Sequence, residues 1–451
     1  YLTAGMNMDM FFPDGNKLKC KLLKTTKDFL IDNFKISENI IEFVQECEDE
    51  LRDQFNELDQ ITEYNQLKVL NAFQNNRISD NHFNWNTGYG YDDIGRDAVE
   101  RVYADIFHTE SALVRTQMVN GTHSLAITLF GILRPGDEMI YCTGGPYDTL
   151  EEVIGIRGSG MGSLIEYGIK YKQVELDIDN NIDMETLRSA ITEKTKLVCM
   201  QRSTGYSWRK SIELDQMKEV ADLVHSINPE ILVMADNCYG EFVKEFEPTD
   251  VGVDVIAGSL IKNPGGGLAL SGGYVCASKE IIDRIAYRLT CPGIGSECGL
   301  TFGQTRSVLQ GIFLAPRTVN SAVKAAMLCA KVFEKLGFDV CPDSNIKRND
   351  IIQAICLRDE ASVVAFCQGI QAAAPIDSHV VPLPWDMPGY EDKVVMAAGA
   401  FVQGSSIELS ADAPIREPYN VYFQGGLTYE HAKFGVLKAA DSMYKKGLIN
   451  L

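Results

Sequence analysis

The sequence contains no uninterrupted apolar run of about 18 residues, the length that a membrane-spanning helix requires. Its first residues also lack the basic segment and apolar stretch of a signal peptide. Positive charge is scarce, because 42 Lys and Arg face 62 Asp and Glu, for a formal net charge of -20. Such an acidic chain is a poor partner for nucleic acid or for an anionic membrane surface.

Cysteine is present, but it forms no redox or metal-binding pattern. The 12 cysteines are scattered, include no C-x-x-C pair and mostly sit in apolar strings. We therefore expect reduced, buried thiols and a cytosolic protein. No carboxylate cluster or His/Cys spacing stands out, so we predict no metal site.

The length of 451 residues favours more than one domain. With 45% hydrophobic and 23% charged residues, the chain can form a substantial core. We predict a helical N-terminal segment (1–80, with helix over 17–57), a large α/β domain (81–315) and a smaller C-terminal α+β domain (316–451). A helical pattern covers residues 303–337, where Pro316 predicts a kink or a division into two helices.

Seven short apolar runs alternate with helical stretches between residues 112 and 277. Apolar runs without alternation are typical of strands buried on both faces, and strand–helix repetition favours a mainly parallel sheet. The runs cover residues 112–119, 138–142, 171–176, 196–201, 231–235, 253–257 and 272–277. Further β-like runs in the C-terminal part cover residues 362–368, 393–401, 405–410 and 419–426.

Polar loops follow several of these runs, and in parallel sheets ligands bind beyond the carboxyl ends of the strands. After the first run, Asn120-Gly121-Thr122 opens a helix whose free N–H groups favour an anion. The next residue, His123, either stacks near a ligand or caps this helix. Tyr147 follows the second run, where it either covers the sheet edge or lies against a planar cofactor.

Asp236 and Lys262 follow two successive strands. A carboxylate at the end of a buried strand is costly unless it is paired, so Asp236 either caps a helix or accepts a hydrogen bond from a protonated ring nitrogen. Lys262 follows apolar Leu260 and Ile261 and precedes a glycine run, a setting in which an amine can form an imine. An Asp and a Lys so placed are what pyridoxal 5'-phosphate (PLP) requires, because the Asp keeps the pyridine nitrogen protonated and the Lys carries the aldehyde.

With these residues, the chain resembles fold-type I PLP enzymes of the cysteine and methionine metabolism class. It is most similar to the methionine gamma-lyase-like, or aluminium resistance, branch, which is related to the cystathionine beta-lyases. The matching motifs include NGTHSLAITLFGILRPGDEMIY, GGPYDTLEEVIGIRG, MADNCYGEF, GSLIKNPGGGLALSGGYV and SIELSADAPIREPYNVYFQGGLTYEH. The resemblance implies a mostly parallel seven-stranded sheet, a homodimer or homotetramer, and a carbon–sulfur lyase. Its implied reaction is β- or γ-elimination on a small sulfur-containing L-amino acid.

The resemblance also implies roles for individual residues. Lys262 is the Schiff-base lysine and proton carrier, and Asp236 pairs with the pyridine nitrogen. Tyr147 stacks on the ring and assists proton transfer to the leaving group. The residues implied to hold the phosphate are Gly121, Thr122 and Ser259.

Two residues are candidates for substrate binding, Arg416 and Tyr91. A guanidinium fork can grip both oxygens of a carboxylate, which is the role we expect for Arg416. Tyr91 lies where the wider class has a Tyr-x-Arg element that reaches the neighbouring subunit's phosphate. Here Tyr89–Asp93 has no Arg at that spacing, Arg96 lies on the next predicted helix, and Ile261 replaces the Thr that usually precedes the lysine.

Two alternative functions stay open. The same cofactor motifs serve other fold-type I reactions, namely those of aminotransferases, aldolases and decarboxylases. A non-catalytic metal-tolerance protein is the second alternative, favoured by the 62 acidic residues. These residues are dispersed, however, and an acidic surface is typical of soluble proteins in general.

Overall fold

A computed structural model of the protein describes residues 25–386 and 392–451. The N-terminal part is helical as predicted, although residues 17–24 of the predicted stretch lie outside the described residues. Its helices are α1 (Thr26–Phe34), α2 (Glu38–Asp49) and α3 (Arg52–Asn75). The α2 helix buries Ile40, Val44 and Cys47, which lie on one face and attach the helix to the rest of the protein.

The central region alternates strands and helices, and every one of the seven predicted runs overlaps a strand. The strands are β1 (Ser111–Arg115), β2 (Glu138–Tyr141), β3 (Lys170–Gln173), β4 (Thr195–Gln201), β5 (Leu232–Asp236), β6 (Val255–Ser259) and β7 (Gly273–Ala277). The helices of this region are α4 (Ile94–Ile106), α5 (Gly121–Ile132), α6 (Asp148–Ile154), α7 (Met184–Ala190), α8 (Leu214–Ile227) and α9 (Lys279–Leu289).

These strands form one seven-stranded sheet in the order β1-β7-β6-β5-β4-β2-β3. Neighbours from β6 to β3 are parallel, whereas β7 runs antiparallel to both β1 and β6. Alternate residues of β4 enter two separate apolar cores, with Leu197 in one and Val198 in the other. Burial on both faces explains why the runs are apolar without alternation, and it confirms the predicted mostly parallel sheet.

The sheet register places two functional loops side by side. Asp236, the last residue of β5, pairs with Ala257 of β6, two residues before β6 ends. Parallel strands present their carboxyl ends at the same sheet edge, so the loops that carry Asp236 and Lys262 leave the sheet together.

One helix, α10 (Thr305–Lys335), crosses the predicted domain boundary at residues 315 and 316. It is continuous and includes Pro316, so of the two predicted alternatives the division into two helices is wrong. Proline removes one helical hydrogen bond, but α10 packs against α3 and is buried over most of its length, which offsets that loss. The division into domains stays a prediction.

The C-terminal region forms a second, antiparallel sheet in the order β10-β11-β12-β9-β8. Its elements are β8 (Asp339–Cys341), β9 (Ile352–Cys356), α11 (Glu360–Ala373), β10 (Val394–Ala398), β11 (Ser410–Pro414), β12 (Asn420–Gln424) and α12 (Tyr429–Lys445). The α11 helix packs against α12 and against β10, which confirms the predicted α+β character of this region.

Two of the β-like runs in this region were assigned wrongly. Residues 362–368 belong to helix α11, and of residues 405–410 only Ser410 lies in a strand. A short apolar run cannot distinguish a strand from a helix buried on most sides. The Asp359 side chain, which accepts from the Ser362 N–H at 2.8 Å, is the local N-cap that marks α11 as a helix.

Within residues 25–386 and 392–451, no helix is both long and apolar enough to cross a membrane. In the same ranges, no group of three or more His, Cys, Asp or Glu side chains is placed to hold a metal ion. Every cysteine described there is a free thiol.

Candidate active site

A cavity of about 220 Å³ lies between the carboxyl edge of the large sheet and the face of the second sheet. Lys262, Tyr147 and Tyr206 line it from the large-sheet side. Asp412 of β11 and Gln424 of β12 line it from the other side. The cavity therefore joins predicted cofactor residues to a part of the chain far away in sequence.

The glycine run after Lys262 is required by close packing. A Cβ atom on Gly265 would lie 1.8 Å from the Leu260 carbonyl oxygen. Gly266 has a φ of +52°, and its Cβ would lie 2.4 Å from the carbonyl oxygen of Gly311 in α10. The loop can therefore turn back between β6 and α10 only with glycine here, and this turn holds Lys262 at the cavity wall.

The Lys262 amine and the Asp236 carboxyl influence each other electrostatically. Burial raises the pKa of Asp236, and the positive charge of Lys262 opposes that rise. Burial alone would lower the pKa of Lys262, but the acidic groups of Cys238, Tyr239 and Asp236 outweigh it and raise that pKa. The Lys262 Nζ also lies 4.1 Å from the centroid of the Tyr239 ring, so an aromatic face orients the amine.

Three loops converge at the start of α5. Gly121 approaches β6 so closely that a Cβ there would lie 3.2 Å from the Ser259 Cβ and 3.7 Å from the Cys238 Sγ. The Asn120 side chain caps the helix by accepting from the His123 N–H at 2.8 Å. The N–H groups of residues 121 and 122 make no hydrogen bond within the described residues, so they are free to bind an anion.

His123 lies in the first turn of α5. Its Nδ1 accepts a hydrogen bond from the Val119 N–H at 3.1 Å, so the ring closes the turn that precedes α5. Burial lowers the pKa of His123, which keeps this nitrogen available as an acceptor. The ring therefore supports the loop next to the free N–H groups.

The arrangement fits PLP. The free N–H groups at the start of α5, beside the Ser259 hydroxyl, suit a phosphate. Asp236 supplies a buried carboxylate, Lys262 an amine, and half-buried Tyr147 an aromatic ring at the cavity wall. Anion-binding amides, a carboxylate, an amine and a ring in one place match the phosphate, pyridine nitrogen, aldehyde and ring face of this cofactor.

The predicted substrate residues lie outside this cavity in the single chain. Arg416 lines an adjoining cavity that shares Tyr206 as a wall, is 57% exposed and pairs with Asp392 at 3.1 Å. Tyr91 is exposed, with its ring centroid 5.5 Å from that of Tyr89. Arg96 is on α4 as predicted, where it donates to the Gly90 carbonyl at 2.6 Å and so holds the preceding loop.

Sequence reasoning missed two buried carboxyl groups near Lys262. Asp412 is one of them and lines the cavity. Glu241 is fully buried behind the loop after β5, where it accepts from the Tyr274 hydroxyl at 2.6 Å. An ionisable residue one step after a loop glycine, within MADNCYGEF, was the only sequence signal for Glu241.

We expect Glu241→Gln to stabilise the protein at neutral and alkaline pH. Burial raises the pKa of Glu241 to about 8 from 4.5, against the opposing hydrogen bond from Tyr274. The native state thus keeps a proton that the unfolded chain loses, and the associated stability is present below pH 4.5 and lost as pH rises through about 8. At pH 8 the free energy of unfolding of the variant should exceed that of the parent by on the order of 2–4 kcal/mol.

Chemical denaturation from pH 5 to pH 9 would check this. Glu280→Gln, at a carboxylate whose side chain is 75% exposed, serves as the control and should follow the parent curve. Equal pH dependence in the Glu241→Gln variant and the parent would contradict the buried, protonated state of Glu241.

Comparison with known proteins places the chain in a family. The methionine gamma-lyase family model matches residues 40–444. The YnbB protein of Bacillus subtilis (strain 168), an uncharacterized protein, is 48% identical over 421 residues, covering 93% of this chain and 100% of YnbB. A carbon-sulfur lyase involved in aluminum resistance from Clostridium novyi NT has a solved structure with 52% identity and a TM-score of 0.89, covering 93% of this chain and 99% of that chain.

A more distant likeness supports the fold alone. Cystathionine gamma-lyase from Lactobacillus plantarum shares 16% identity and a TM-score of 0.53, covering 79% of this chain and 87% of its own. The fold is therefore that of fold-type I PLP enzymes, as predicted. Since the family model spans most of its length, the chain belongs to the methionine gamma-lyase family.

Proposed function

We propose that this protein is a PLP-dependent carbon–sulfur lyase that performs β- or γ-elimination on a small sulfur-containing L-amino acid. The observation that carries the proposal is the convergence of Lys262, Asp236 and the free N–H groups of α5 at one sheet edge. The family, and the carbon-sulfur lyase from Clostridium novyi, support the reaction class.

In this proposal each residue has a definite task. PLP, when bound through Lys262, withdraws electrons from the substrate α-carbon. The freed Lys262 amine takes the α-proton, and the acidic groups around it favour its protonated form afterwards. Asp236 would hold a proton on the pyridine nitrogen of the cofactor, and Tyr147 would cover its ring. The phosphate would be held by Gly121, Thr122 and Ser259.

Two further parts of the site belong to the proposal. Arg416 would hold the substrate carboxylate, for which it must exchange its pairing with Asp392. We also propose that the chain acts in the cytosol as a homodimer or homotetramer. The exposed Tyr91, with its neighbours Tyr89 and Trp85, offers an aromatic surface through which a second copy can contribute to the site.

The direct test uses purified protein loaded with PLP. Incubation with methionine, cystathionine or cysteine should release a 2-oxo acid, ammonia and a thiol (hydrogen sulfide from cysteine) in equal amounts. Formation of pyridoxamine phosphate without ammonia would show an aminotransferase instead. Protein that neither binds PLP nor releases any of these products would overturn the proposal and favour a non-catalytic role.

A further inference from the structure

A second buried carboxyl group faces Lys262 across the cavity. Asp412 of β11 is 8% exposed, and its Oδ2 accepts from the Tyr206 hydroxyl and from the Gln424 Nε2, both at 3.2 Å. Among the described residues that line the cavity, Lys262 is the sole cationic side chain. No Arg or Lys of the described residues forms an ion pair with Asp412, whose side-chain donors are Tyr206 and Gln424. A buried carboxylate usually requires such a cationic partner.

The two oxygens of Asp412 differ in their surroundings. Both donors point at Oδ2, whereas Oδ1 accepts no hydrogen bond from the described residues. The Ser405 and Ser410 hydroxyls, which also line the cavity, are buried and have no hydrogen-bond partner. The Asp412 Oδ1 does not belong to this group of buried atoms without a partner. A protonated carboxyl matches this pattern, with Oδ2 as the carbonyl oxygen and an Oδ1–H directed at the cavity.

The environment favours that protonated form. Burial raises the pKa of Asp412 from 3.8 to about 6, although the hydrogen bond from Tyr206 opposes the rise. Burial and, to a smaller extent, the Asp412 charge raise the pKa values of Tyr239, whose ring lies against the Lys262 amine, and of Cys367. Lys262 is the cation that shares the cavity, but burial and the Tyr206 hydrogen bond are what shift the Asp412 pKa, so a proton can be held and released near neutral pH.

We infer that Asp412 is the catalytic acid that protonates the leaving sulfur, an assignment that rests on the proposed lyase function. The electron pair left on the substrate after proton removal forms a C=C bond, and the C–S bond breaks with both its electrons on sulfur. The Asp412 proton moves to that sulfur, which leaves as a neutral thiol. The resulting carboxylate keeps its hydrogen bonds from Tyr206 and Gln424 and regains a proton from water.

The test compares leaving groups that do and do not need a proton. S-methyl-L-cysteine and methionine release methanethiol, whose sulfur must take up a proton, whereas β-chloro-L-alanine and its γ-chloro homologue release chloride, which needs none. In Asp412→Asn, kcat for the S-methyl substrates should fall by about 100-fold or more, while kcat for the chloro substrates changes by less than about threefold. Asp339→Asn, at an aspartate on the edge of the same sheet whose side chain is 72% exposed, should match the parent with both kinds of substrate.

A second readout does not depend on turnover. In cofactor-free protein, the parent should lose stability relative to Asp412→Asn as pH rises from 3.8 through about 6, because the native state alone retains the proton there. Thermal unfolding at several pH values measures this difference. Identical pH profiles for the two proteins would contradict a protonated Asp412.

The possible outcomes separate the acid role from the lyase function. Equal losses with S-methyl and chloro substrates would overturn the acid role while leaving the lyase function intact. A loss of activity limited to the S-methyl substrates in Tyr147→Phe, but not in Asp412→Asn, would show that Tyr147 donates the proton. This result would also overturn the acid role of Asp412. A parent protein that binds PLP but turns over none of these substrates would overturn the lyase function, and the acid role with it.

Discussion

Replacing Lys262 with alanine is expected to abolish turnover, with kcat falling on the order of 10³–10⁴-fold or more. The amine both anchors the cofactor and carries the α-proton in the proposed reaction. No other lysine or arginine among the described residues lines the cavity, so no neighbouring cation can replace it. The parent protein should be yellow after incubation with PLP, and the variant should lose this colour.

Borohydride reduction followed by peptide mapping gives the sharper measurement. In the parent, the reduced cofactor should be attached to the peptide that contains Lys262. Lys279→Ala, at a lysine whose side chain is 66% exposed on α9, is the matched control and should keep both the adduct and the activity. Attachment of the cofactor at a different lysine would refute the assignment of Lys262.

The second large effect is expected for Asp236→Asn. The amide keeps an oxygen for the Cys238 N–H, which donates to the Asp236 Oδ1 at 3.1 Å, so the loop should fold as before. The substitution removes the negative charge that would hold a proton on the pyridine nitrogen. Activity should therefore fall on the order of 10²–10³-fold, while the cofactor still attaches to Lys262.

A cofactor analogue methylated on the ring nitrogen separates electrostatics from structure. The analogue carries its positive charge permanently, so it should restore part of the activity lost in Asp236→Asn but should not improve the parent. Thermal stability of the variant should not decrease, because burial already raises the pKa of Asp236 and disfavours its charge. Loss of folding, or no rescue by the analogue, would contradict the proposed role.

Local sequence patterns identified the site residues that lie at or just after the end of a strand. Asp236 ends β5, and Lys262 follows β6 by three residues, so strand ends predicted from apolar runs were enough to bring them together. The start of α5 was predictable for the same reason, since Asn120 caps a helix that directly follows a strand and a short turn. These inferences need only the common direction of neighbouring parallel strands.

Site residues that belong to the second sheet could not be identified from strand ends alone. Asp412 and Arg416 are four positions apart, yet Asp412 faces Lys262 and Arg416 lies in the adjoining cavity. The placement depends on how β11 pairs with β10 and β12 and on how that sheet lies against the large one. No local pattern encodes this packing, and the resemblance alone pointed to Arg416 rather than Asp412.

By itself, the sequence determined the large parallel sheet, because burial on both faces leaves unbroken apolar runs, and with it the shared edge that holds Asp236, Lys262 and Gly121. Tertiary structure decided which apolar run became a helix, as at residues 362–368, and whether α10 continued through Pro316. It also decided the pKa values of Glu241 and Asp412, which burial raises. Burial depends on every element that packs around a group, whereas strand direction and helix caps depend on a few neighbouring residues.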